Sequence, residues 1–276
     1  MKKRLLSSVL AILLLVCAAG CQTAEKNQAS NAPPPASPSI SPQDTAPPPV
    51  DMGAEKAAAL EAYTRVADRL SISPESGGDV QFDMDIMMKT DVEFAGETES
   101  IETSGNIKIK IVGGEMQSSL VLDMGEAGQM EMYSDGEKAY CSINGQELEI
   151  ETGSVFGQVE QSLNIPQFEK DAIKSYEIKE DGENTKIHLV IDGAELKSFI
   201  TESLTSLLGE TGDAQKLEIY DIEISLVMTK DEIPLSMEMK MGLEMTVLEN
   251  KIKMMSDAIY TFNKFDSGVN VDLSKL

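Results

Sequence analysis

From Val80 onward the chain alternates. Val80, Phe82, Met84, Ile86 and Met88 are separated by Gln81, Asp83, Asp85, Met87 and Lys89, the period of two that a half-buried strand requires. Ile107, Ile109 and Ile111 repeat the pattern in 103–112, and Gly113-Gly114 turns the chain into 116–124, where Leu120 and Leu122 face the same way. Shorter strands are expected over 129–134, 138–143 and 147–151, joined at Asp135-Gly136 and Asn144-Gly145. A hairpin over 173–179 and 185–191 turns at Asp181-Gly182. The last third returns to long strands over 216–229, 234–248 and 251–265. In the middle one, Leu235, Met237, Met239, Met241, Leu243, Met245 and Val247 take every second place.

Two stretches keep a helical period instead. In 55–70, Leu60, Tyr63, Ala67 and Leu70 form one stripe, ended by Ser71, Ser73, Pro74 and Gly77-Gly78. In 193–208, Asp192 stands as N-cap with Glu195 in capping-box position, ahead of Leu196, Phe199, Ile200, Leu204, Leu207 and Leu208. A short helix is also conceivable within 153–170. One helix, about ten antiparallel strands and a late amphipathic helix give an α+β fold. Strands with one apolar face must bend round something apolar, so the expectation is a half-open antiparallel barrel with helices packed on its concave face.

The first 53 residues follow neither pattern. Lys2, Lys3 and Arg4 precede an apolar run from Leu5 to Val16, and Ala18-Ala19-Gly20 supplies small residues before Cys21. This resembles the lipobox of bacterial lipoproteins, with Ala18 where that family prefers Leu. The resemblance implies cleavage before Cys21, diacylglycerol on its thiol and acylation of the new amino group. Residues 1–20 are then a signal peptide. Residues 21–53, with Pro33-Pro34-Pro35 and Pro47-Pro48-Pro49, read as an extended tether of about 3 Å per residue where stiff. Residues 54–276 form one domain.

Charge narrows the partners. Without Lys2, Lys3 and Arg4, 20 basic and 47 acidic side chains remain, a net charge of −27. A polyanion repels nucleic acid and anionic head groups alike, so no nucleic-acid partner is expected and attachment to a membrane falls to the N-terminal lipid. One acyl chain holds only marginally; two or three hold lastingly, at about 0.8 kcal/mol per buried methylene. Gln22 after the cysteine and the long tether favour a Gram-positive plasma membrane.

No enzyme signature is present. There is no phosphate-binding glycine loop, no histidine cluster and no nucleophile elbow, and neither cofactor nor metal is expected. Cys141 lies in an alternating apolar segment and reads as a small buried hydrophobe, and His188 as a surface residue. Asp83 and Asp85, like Glu147, Glu149 and Glu151, read as a solvated strand face. Fourteen of the 16 methionines lie between Met84 and Met255. They fill an ordinary core, line a cavity that repacks round acyl chains, or, in Met130-Glu131-Met132 and Met237-Glu238-Met239-Lys240-Met241, present thioethers to Cu(I).

The lipobox, the tether, the helix at 55–70 running into Val80 to Thr90, and the ending Tyr260-Thr261-Phe262-Asn263-Lys264-Phe265 together resemble the LolA-like carriers, among them the mycobacterial LppX and LprG lipoproteins and the LolA-like lipoproteins of Gram-positive bacteria. The arginine with which LolA grips its cargo has no counterpart here. The resemblance implies a monomeric, membrane-anchored protein that binds a lipid or lipoprotein. Met84, Ile86, Leu120, Leu122, Phe199, Leu204, Met237, Met239 and Met241 are the expected cavity lining. A non-catalytic envelope interaction or stress-sensing module with a filled core is the alternative.

Overall fold

The computed structural model describes residues 54–70, 79–148, 170–197, 217–247 and 250–276. The signal peptide, Cys21, the tether, the segment 153–169 and the expected helix beyond Lys197 lie outside these residues.

The strands are β1 (Val80–Phe94), β2 (Glu97–Val112), β3 (Glu115–Asp123), β4 (Gln129–Ser134), β5 (Ala139–Ile143), β6 (Gln146–Leu148), β7 (Ile173–Asp181), β8 (Asn184–Ile191), β9 (Glu218–Ile219), β10 (Ile222–Thr229), β11 (Pro234–Val247) and β12 (Asn250–Phe265). They form one antiparallel sheet in the order β6-β5-β4-β3-β2-β1-β12-β11-β10-β8-β7, with β9 beside β11. Among the described residues the sheet does not close, since β6 and β7 are its two ends, and twelve strands stand in place of the expected ten or so. The expected strand 216–229 is split at Tyr220 and Asp221, and β1 and β2 run longer than the alternation suggested because their tips join in a tight hairpin at Ala95-Gly96.

One α-helix lies within the described residues, α1 (Ala54–Leu70). Its buried stripe, Tyr63, Val66, Ala67 and Leu70, enters a single apolar cluster with Phe82, Met84, Ile107, Ile109, Leu120, Met132, Ile187, Leu189, Ile191, Ile224, Leu226, Met237 and Phe262. Strands from both halves of the sheet contribute, so α1 is packed on the face to which all these side chains point, here the inner face. A smaller cluster, Val92, Leu217, Leu243, Met245, Ile252 and Met254, occupies the far end of the long strands.

Two arginines lock α1 to the strand ends. Arg65 Nε donates to Glu232 Oε2 at 2.9 Å, and Arg69 Nη1 donates to the Glu232 carbonyl oxygen at 2.8 Å. Arg69 also pairs with Asp266 and lies 4.6 Å from the centre of the Phe265 ring. The Arg65 guanidinium holds the Glu232 carboxyl below the usual carboxylate range, against the opposing effect of its partial desolvation. On the opposite, outer face the C-terminal tail runs from β12 towards β4 and β5. Lys264 Nζ donates to the Gly268 carbonyl at 2.7 Å, Val269 and Val271 are buried, and Lys275 pairs with Glu131 over the Tyr133 and Tyr140 rings.

Candidate functional site

Because paired residues of neighbouring strands share a face, the registers place the inner-face side chains in rows. One row holds Ile86, Tyr260 and Met237, with Leu226 and Ile187 beyond; the next holds Thr103, Met88, Ala258 and Met239; the next Ile101, Thr90, Ser256 and Met241. On the other side, Leu120 stands opposite Ile107, and Leu122 opposite Gly105 beside Met130. Seven expected cavity residues therefore share one face: Met84, Ile86, Leu120, Leu122, Met237, Met239 and Met241. Phe199 and Leu204 lie outside the described residues.

Within that face, exposure varies in a pattern. Met84, Leu120 and Met237 are sealed against α1 and the cluster round it. Ile86, Leu122, Met130, Met239, Met241 and Tyr260 point the same way yet keep part of their surface. They form a band between the two sealed clusters, and Met241 packs against both. Its chemistry is apolar and soft, with flexible thioethers that adopt many shapes at low cost.

The start of the expected 193–208 helix is firmly held. Asp192 Oδ1 accepts from the Ala194 backbone N–H at 3.0 Å, as an N-cap should, and the Asp192 N–H donates to the Ala172 carbonyl at 2.8 Å. That capping bond and Lys174 hold the Asp192 carboxyl below its usual range. Gly193 is packed so tightly that a Cβ there would fall on the carbonyl oxygens of Ile219 and Tyr220. Residues 193–196 form a 3-10 turn.

The thioethers of Met132 and Met237 are buried among aliphatic side chains. His188, the chain's single histidine, faces the outer side, where its Nδ1 is 2.9 Å from Ser225 Oγ, so no imidazole joins the methionines. Cys141 is buried, 5% exposed, and desolvation pushes its thiol up. Among the described residues no cluster of three or more His, Cys, Asp or Glu is arranged to hold a metal ion, and no helix is long and apolar enough to cross a membrane.

Residues 80–272 match a family of unknown function, DUF6612. The chain belongs to that family. No curated protein matches it. It is similar to solved structures of a DUF1329 family protein from Desulfovibrio piger, at 12% identity over 78% of this chain and 94% of that one with a TM-score of 0.27. It is similar also to a putative outer membrane lipoprotein-sorting protein domain from Vibrio parahaemolyticus, at 10% identity over 78% and 94% with a TM-score of 0.24. A third is the ywiB protein of Bacillus subtilis, at 10% identity over 67% and 94% with a TM-score of 0.20. Overlaps this loose transfer neither residues nor roles.

The matched region of this DUF6612 chain contains polar groups that alternation alone did not reveal. Asp83, expected on a solvated face, is only 8% exposed. Asn106 Nδ2 donates to Asp83 Oδ1 and Asp85 Oδ1, each at 2.8 Å, and Lys108 Nζ lies 3.5 Å from Asp83 Oδ2. On the inner face Thr90, Thr103 and Ser256 are buried among the apolar rows. For Thr90 and Ser256 the signal was there, since each interrupts an otherwise apolar alternation, whereas Thr103 stands in a run that already holds Glu99 and Gly105. A single hydroxyl in such a run passes for an ordinary strand residue.

Proposed function

We propose that this DUF6612 protein is a non-enzymatic lipoprotein, held through Cys21 on the extracytoplasmic side of a Gram-positive plasma membrane, and that it binds the acyl chain of a lipid or lipoprotein along its inner face. The carrying observation is the band of Ile86, Leu122, Met130, Met239, Met241 and Tyr260: inward, apolar, partly exposed and flanked by sealed core on both sides. Burial of apolar surface drives such binding at about 25 cal/mol per Å². The mechanism is passive. A chain lies along the band and is held there by burial of its apolar surface. The unclosed antiparallel sheet suits that role, because its inner face stays reachable from the open side between β6 and β7. No cofactor or metal takes part.

Lipid extraction and mass spectrometry of the protein purified from its native host test this. Acyl species in near-equimolar amount, beyond those attached at Cys21, are expected; a lipid-free protein would sink the carrier. A filled-core interaction module is the second reading. It is favoured by the paired Met87 and Ile259 on the outer face, 59% and 40% exposed, which offer a partner an apolar foothold amid acidic surroundings.

A further inference from the structure

The band is not uniformly apolar. Where the two clusters meet, Thr90 Oγ1 and Ser256 Oγ lie 2.5 Å apart, in the row that ends at Met241. One row towards α1, Thr103 faces inward opposite Met88, a diagonal neighbour of Thr90. Thr103 is 4% exposed and its Oγ1 has no hydrogen-bond partner. A buried hydroxyl without a partner bears its whole desolvation cost, and native cores keep few of them.

We infer that these three hydroxyls recognise the carbonyl oxygen of an ester or amide in the acyl ligand, and that the inner face selects neutral acylated molecules over free fatty acids. The inference rests on the acyl-binding reading above. Thr90 and Ser256 have two protons between them and one is used in their mutual bond, so the pair keeps one O–H to donate and Thr103 adds a second. Two donors match the two lone pairs of one carbonyl oxygen. Charge decides the ligand class. Along β1, β2, β11 and β12 no lysine or arginine stands in inward register, and the charged residues that do, Glu97 and Glu99, are acidic. A carboxylate or phosphate brought to the hydroxyls would be desolvated with no counter-ion and would face like charge. An ester or amide costs far less to bury.

The full chain carrying Cys21→Ser, which removes the protein's own acyl groups, is tested with N-phenyl-1-naphthylamine as fluorescent reporter and with methyl palmitate, palmitate and hexadecane as competitors at pH 8. Methyl palmitate is expected to displace the reporter at concentrations roughly tenfold below those of palmitate and about fivefold below those of hexadecane. Thr103→Val, which keeps shape and removes the donor, should leave hexadecane unchanged and abolish the ester's advantage over it. Ser256→Ala should reduce the same advantage and serves in its place if circular dichroism shows Thr103→Val unfolded. Palmitate binding as well as its ester, or an ester advantage that survives both variants, overturns the inference and leaves acyl binding standing. Failure of the reporter and all three competitors to bind overturns acyl binding, and this selectivity with it.

Discussion

The inner face is one surface with two characters. Round α1, Tyr63, Phe82, Ile109, Leu189 and Ile224 are 2% exposed or less, and the arginine clamps fasten the helix to the strand ends. A few residues further along the same strands, Ile86, Met239, Met241 and Tyr260 remain partly open. The composition differs in degree. The sealed part is mostly branched aliphatics and aromatics that fit one arrangement, with a minority of methionines such as Met84 and Met237, whereas three of the six band residues are methionines that fit many. Stability and adaptability are thus placed side by side on one face of the sheet.

The largest test of that contrast compares truncations. Ile109→Ala and Leu189→Ala should each cost about 2–5 kcal/mol and lower Tm by on the order of 10 °C, whereas Met239→Ala should cost under about 2 kcal/mol. Equal losses in thermal denaturation would erase the distinction. Next comes the clamp. Arg69→Ala removes the bonds to the Glu232 carbonyl and Asp266 and the contact with Phe265, for an expected loss of about 1–2 kcal/mol in urea titrations.

Acid sharpens the same point. The Glu232 carboxyl titrates below its unfolded value because of Arg65, so the stability it contributes is fully present above the ordinary carboxylate range and is lost as pH falls through the depressed value. Glu232→Gln should flatten that part of the stability–pH curve below the ordinary carboxylate range and leave its slope at neutral pH unchanged. The smallest effect concerns Cys141, in the sealed cluster with its thiol pushed up by burial. Thiol reagents at pH 8 should label it only at the rate of opening, orders of magnitude more slowly than the unfolded chain. Rapid labelling would place an opening where the core round Cys141 is sealed.

Much of this was legible because local chemistry and fold agreed. Asn144-Gly145 and Gly113-Gly114 announce their turns, as both positions of each need positive φ, found at 53° and 73° and at 61° and 84°. Ala95-Gly96 adopts the same geometry, at 55° and 82°, but an alanine first position conceals it, so the extended tips of β1 and β2 went unread. The inward faces followed from period two. What could not be read was non-local: that β1 pairs with β12, that Asn106 meets two aspartates from the neighbouring strand, and that Tyr220 breaks the strand 216–229. The amphipathic stretch 193–208 gave a strong helical signal, of which the structure describes the cap at Asp192 and the first turn.

The pairing of β1 with β12 in the middle of the sheet has a temporal consequence. Among the described strands these are the first and the last in chain order, so neither half of the sheet has its central neighbour until β12 has left the ribosome or translocon. Joining of the two halves therefore waits on β12, and a nascent polypeptide halted before that strand would display the bare rim of β1 to any chaperone or protease waiting nearby.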